Sequence, residues 1–133
     1  MKFQVEIKRI DWIDQDTKEA EVFFRVGNSD YWAFSSPFNF AEGSISNIEI
    51  DFLESEDVSF ESFFSDNRDK EMKIVPFGDN RTSYHCYGRI INVNPIIVDC
   101  GDMQFEHGEF THDEKVIGEY VYFVISRLEI LSI

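Results

Sequence analysis

The sequence predicts an all-β domain, a small antiparallel barrel or sandwich of about eight strands with one short helix near residues 58–66. Apolar and polar residues alternate with a period of two through most of the chain, which is typical of strands with one buried face. Turn-forming sequences recur at fairly regular spacing, and no alternating strand and helix units are present. At 133 residues, the chain has the length of one domain, which we assign to residues 1–133.

The first half of the chain shows the alternation most clearly. Phe3, Val5 and Ile7 alternate with polar residues, and the turn sequences DQDTK and GNSD separate the segments that follow. A proline ends the third segment, since proline cannot continue the ladder of a central strand. The predicted strands cover residues 3–13, 19–26, 31–36 and 45–53.

The second half begins with a change of period. Phe60, Phe63 and Phe64 have the i, i+3, i+4 spacing of a helix face, which predicts the short helix. A short edge strand ends at a proline, and the apolar runs YHCYGRIINV, PIIVDCGDMQF and VIGEYVYFVISRLEILSI follow. The inward set of the last run changes phase, which predicts a β-bulge near Ser126 or Arg127.

Both cysteines lie in the stretch CYGRIINVNPIIVDCG, which we interpret as a hairpin. If Asn94 and Pro95 form its turn, Cys100 lies across from Arg89. Because Arg89 and Cys86 are an odd number of positions apart, their side chains leave opposite faces of the strand. The sequence therefore predicts two unbonded, buried thiols that diverge.

Three segments of the second half resemble oligonucleotide-binding-type small barrels. They are the strand containing Gly88, the following segment IIVDCG and the last strand, which opens GEYVYF. The resemblance covers about a third of the chain and implies a fold in which such glycines let a strand coil sharply. Barrels that bind single strands combine stacking aromatics with a basic groove, and this chain has the aromatics without the cations. We therefore assign no binding residues from the resemblance.

The charge balance restricts the partners. The chain has 12 Lys and Arg against 26 Asp and Glu, a formal net charge of −14. Nucleic acids and anionic membranes both require cations on the protein, so we expect neither as a partner. Charges interrupt the N-terminal sequence MKFQVEIKRIDWI, and no run approaches the roughly 18 apolar residues of a membrane span. We therefore expect a cytoplasmic protein.

Candidate chemical sites are few. The stretch HGEFTHDE offers His107, His112 and Asp113, which are zinc-ligand residue types, but their spacing matches no standard ligand pair. A solvated acidic loop is the preferred interpretation, and a metal-dependent enzyme is the weakest alternative. The sequence contains no phosphate-binding glycine loop, nucleophile elbow or metalloprotease pattern. It assigns no catalytic residue and no cofactor.

The sequence favours a non-catalytic acidic protein that engages a basic protein surface, in the manner of small immunity or inhibitor proteins that neutralise basic toxins. Phe38 and Phe40 lie in the loop SSPFNFAEG, which is either tucked onto the core or exposed to a partner. The candidate partner-binding residues are Glu54, Glu56, Asp57, Glu61, Phe38 and Phe40. The alternative is a barrel whose internal cavity, lined by aromatic side chains, binds a small apolar ligand.

Overall fold

A computed structural model describes residues 1–54, 60–109 and 111–132, including every side chain in these ranges except those of Phe60 and Glu61. This part of the chain forms nine strands, one short α-helix and a 3-10 turn at Glu114–Val116, which confirms the all-β class. The elements are β1 (Lys2–Asp14), β2 (Glu19–Val26), β3 (Ser29–Ser35), β4 (Ile45–Glu54), α1 (Phe60–Ser65), β5 (Lys73–Pro76), β6 (Tyr84–Asn92), β7 (Ile97–Asp99), β8 (Gln104–Glu106) and β9 (Tyr120–Ser132).

Five strands close into a barrel. β1 pairs with β2 and β4, β2 pairs with β3, and β4 pairs with β9, all of them antiparallel. A parallel contact between Phe34 of β3 and Glu129 of β9 completes the ring. The barrel therefore consists of the first four strands and the last one, whereas the resemblance to small barrels came from the second half of the sequence.

The remaining strands form an extension of the same sheet. β9 continues beyond the barrel and pairs with β6, which also pairs with β5 and β7, and β7 pairs with β8. The predicted run PIIVDCGDMQF is divided into β7 and β8 by a tight turn. The carboxylate of Asp99 accepts a hydrogen bond from the Gly101 N–H at 2.9 Å, which stabilises this turn and accounts for the ninth strand.

β9 contains the predicted bulge. Leu53 of β4 lies across from Arg127 and Glu54 lies across from Ile125, so Ser126 is the extra residue. The Ser126 hydroxyl donates a hydrogen bond to the Leu53 carbonyl at 2.9 Å. The β9 side chains that belong to the hydrophobic core cluster change phase across the bulge: 121, 123 and 125 precede it, and 128 and 130 follow it.

Tyrosine hydroxyls join the extension to the barrel. The Tyr84 hydroxyl accepts a hydrogen bond from the Trp32 N–H at 2.7 Å and lies 3.1 Å from the Trp32 carbonyl, to which it donates. The Tyr31 hydroxyl donates to a carboxylate oxygen of Asp102 at 2.8 Å. Burial raises the pKa of Tyr84 to about 12. The outer edge of β3 is therefore held against β6 and the turn before β8 by polar contacts in a largely apolar setting.

The predicted register of the cysteine hairpin is wrong by one residue. Asn94 and Pro95 lie in the turn as predicted, but a bulge between Ile90 and Asn92 shifts the pairing so that Arg89 faces Asp99. Cys100 therefore lies beside Gly88, on the buried face that Cys86 also occupies. The thiols do not diverge, although both are free, as expected. Burial raises the pKa of the Cys86 thiol, and the neighbouring Cys100 raises it further.

We predict that neither thiol reacts in the native protein. Cys86 and Cys100 are 0% and 1% exposed, so a reagent in solution cannot reach either sulfur, and the raised pKa of Cys86 also leaves it little thiolate. A chromogenic disulfide reagent added without reductant is expected to titrate no thiol under native conditions and two in denaturant. Two rapidly reacting thiols in the native protein, or none in denaturant, would contradict the structure.

We predict that Gly88→Ala destabilises the protein by about 1–3 kcal/mol, the usual cost of overpacking a core. A Cβ at this position lies 2.6 Å from the Asp99 carbonyl oxygen and 2.8 Å from the Cys100 sulfur. Urea unfolding at neutral pH measures the loss. The control is Gly78→Ala, where the Cβ meets open space and only the positive φ of +66° opposes the change. Equal midpoints for Gly88→Ala and the native protein would refute this packing.

Candidate functional site

An acidic groove of about 400 Å³ lies between β4 and the end of β8. Its charged lining side chains are Glu49 and Asp51 from β4 and Glu106 from β8, and Phe52 and Leu131 also line it. We call this feature the acidic groove. It brings together acids that lie far apart in the sequence.

The alternation of β4 places its acids in the groove. Ile48 and Ile50 are buried in the core, so Glu49 and Asp51, at the intervening positions, face solvent. Glu106 is the last residue of β8 and is also exposed. The same alternation that builds the barrel core therefore puts two carboxylates side by side on its outer surface.

The acids of the groove have no cationic partner in the described chain. No ion pair among the described residues involves Glu49, Asp51 or Glu106, even though Lys2 lies across from Glu49 in the β1–β4 ladder. Asp51 lies across from Glu129, and like charges directly opposite each other destabilise a sheet. The negative charge of the groove is consequently left to solvent.

Apolar side chains flank the acids along β4. Leu53 is 48% exposed and Ile45 is 71% exposed, on the same outward row as Glu49 and Asp51. We call the solvent-facing row Ile45, Asn47, Glu49, Asp51 and Leu53 the β4 face. Exposed apolar residues beside unpaired charges are a combination that can bury both kinds of surface in a complex.

Glu54 ends β4 beside a buried histidine. Its carboxylate lies 3.9 Å from His107 Nδ1, a separation longer than a hydrogen bond. The His107 ring packs 4.2 Å from that of Phe123 and also contacts the rings of Phe52 and Phe63. Burial lowers the pKa of His107 to about 4 and raises that of Glu54. Near neutral pH the histidine is uncharged, so Glu54 has no ion pair with it.

The zinc-ligand candidates do not converge. His107 is enclosed by phenylalanine rings and His112 is exposed, while Asp113 accepts a hydrogen bond from the Lys115 N–H at 3.0 Å at the start of the 3-10 turn. Within residues 1–54, 60–109 and 111–132, no three His, Cys, Asp or Glu side chains are grouped so as to hold a metal ion. The described residues therefore give no support to the metal-dependent alternative.

The other candidate residues are placed as follows. Glu56 and Asp57 lie outside the described residues, and Glu61 lies in α1 with a side chain that is also outside them. Phe38 is 1% exposed, and its ring is 5.5 Å from that of Phe40, which is partly buried against the same core. Of the two alternatives for this loop, the structure shows it tucked onto the core.

The sequence did not indicate a second surface, on the outside of β1, β2, β3 and β9. The Arg81 guanidinium lies 3.5 Å from the ring centroid of Trp32, and that of Arg127 lies 4.2 Å from Phe34. We call this surface the aromatic–cation face. Its rings are Phe23, Trp32 and Phe34, and its cations are Lys8, Arg9, Arg25, Arg81 and Arg127.

Each cation of the aromatic–cation face forms an ion pair within the molecule, and the five cations share four carboxylates. Arg81 contacts Asp11 at 2.8 Å and Glu21 at 2.6 Å, and the other four cations pair with Asp11, Asp30 or Glu129. The alternation could have revealed the outward aromatic positions 23, 32 and 34. The cations come from four separate segments, however, and only the folded chain brings them together.

Comparison of the chain with protein-family models, with curated proteins and with solved structures found no match. None of the helices in the described ranges has the length and apolar character needed to cross a membrane.

We predict that His107 makes the protein sensitive to acid. A buried base with a depressed pKa contributes stability above its unfolded value of about 6.5, and this contribution is lost as the pH falls toward 4. Between pH 7 and pH 5 we expect the free energy of unfolding to fall by about 2 kcal/mol. In the variant His107→Phe, we expect most of this pH-dependent decrease to be absent. Urea unfolding of the native protein and of His107→Phe at pH 7 and pH 5 measures the decrease in each.

The control for this experiment is His112→Gln, because His112 is exposed and its replacement leaves the pH dependence unchanged. Because the pKa of Glu54 is raised, this residue makes the free energy of unfolding change with pH in the opposite direction to His107. All variants therefore retain Glu54. A native slope that survives in His107→Phe would show that another group titrates.

We predict that Arg81→Ala destabilises the protein by about 1 kcal/mol, through loss of the stacking on Trp32 and of two half-exposed ion pairs. Intrinsic fluorescence is expected to shift to longer wavelength as the Trp32 ring gains solvent. Urea unfolding and emission spectra measure the two effects. Arg89→Ala is the matched control, because Arg89 is exposed and forms no ion pair in the described part of the chain. Identical behaviour of the two variants would count against the stacking.

Proposed function

We propose that this protein is a non-catalytic acidic binding protein whose β4 face and acidic groove engage a basic surface on another protein. The observation that supports the proposal most directly is that Glu49, Asp51 and Glu106 lack ion pairs among the described residues, whereas every cation of the aromatic–cation face has an ion-pair partner within the molecule. Unpaired carboxylates that line one groove are suited to the lysine and arginine side chains of a partner.

The chemistry of the groove defines what the partner supplies. A cation between Glu49 and Asp51 relieves their mutual repulsion, whereas Glu129, which faces Asp51, is already paired with Arg127. Leu53 and Ile45 add apolar area that a partner removes from water. Charge complementarity of this kind accelerates encounter and makes association sensitive to salt.

Two finer proposals accompany this one. The partner is a basic toxin or enzyme that the protein neutralises, as an immunity or inhibitor protein does; the net charge of −14 supports this form. The five-stranded ring, with the four strands β5 to β8 inserted before its last member β9, is compatible with an oligonucleotide-binding-type barrel used for protein recognition. A cytoplasmic location stays a prediction.

Binding of a small apolar ligand inside the barrel stays a prediction without a supporting observation. Large side chains, among them Phe24, Ile48 and Leu128, are fully buried at interior positions of the barrel strands. The acidic groove is lined by three exposed carboxylates and does not suit an apolar molecule.

The test is capture of partners on the immobilised protein from lysate of its native cells, with elution by increasing salt. We expect a basic protein that is retained at low salt and released at high salt. The double variant Glu49→Lys with Asp51→Lys is expected to lose this partner by at least tenfold in affinity, measured by calorimetry with the purified partner.

The matched control is Asp16→Lys with Asp79→Lys, which changes the net charge by the same amount at exposed positions away from the groove. Equal loss in both double variants would show that overall charge, and not the β4 face, determines binding. Absence of any salt-sensitive basic partner would refute the proposal. Failure of the captured protein to lose activity in the complex would refute only its inhibitory form.

A further inference from the structure

No further inference is drawn: the strongest candidate, the surface groove between the edges of β3 and β5 that Tyr31, Ile74 and Tyr84 line, is an unpartnered sheet edge, and nothing in the structure shows what covers it.

Discussion

The extra residue in β9 is the constraint on which the rest of the structure depends. This one strand pairs with β6 in the extension and with β4 in the barrel, and it also closes the barrel through Glu129. Without the bulge at Ser126, the period of two would turn Leu128 and Ile130 toward solvent while Phe123 and Ile125 stayed buried. The bulge therefore lets one continuous strand serve the core of the extension and the core of the barrel.

Sequence patterns predicted the features of this fold that depend on residues close together in the chain. The alternation along β1 to β4, the helical spacing of Phe63 and Phe64, and the change of phase near Ser126 are all confirmed. The cysteine register failed because one residue inserted near Ile91 changes no apolar pattern, yet it moves Cys100 from beside Arg89 to beside Gly88. The assignment of strands to the barrel also failed to follow from the sequence, since β3 and β9 close the ring through one ladder pair, Phe34 and Glu129, which are far apart in the chain.

The sequence predicted that the candidate site is acidic, but it did not predict which acidic residues line it. The sequence showed an excess of acids and named Glu54, which the structure places on β4 next to the groove. It did not single out Glu49, Asp51 and Glu106, because alternation determines which face a residue occupies but not which strands become neighbours. The same reason hides the aromatic–cation face, where Arg81 reaches Trp32 from the loop between β5 and β6. The sequence placed His107 in a solvated acidic loop, with metal binding as a weaker alternative; the structure shows a buried neutral ring instead, because Phe52 and Phe123 enclose it.

The ion pairs of the aromatic–cation face affect how the protein is oriented in the electric field of another charged molecule. Five cations lie with four acids on that surface, whereas the whole chain has a net charge of −14, so the charge is distributed unevenly and the protein carries a permanent dipole moment. In the field of a highly charged body, such a molecule experiences a torque and turns before contact is made. For the proposed complex with a basic protein, reducing that asymmetry without altering the groove would slow association while leaving the dissociation rate unchanged.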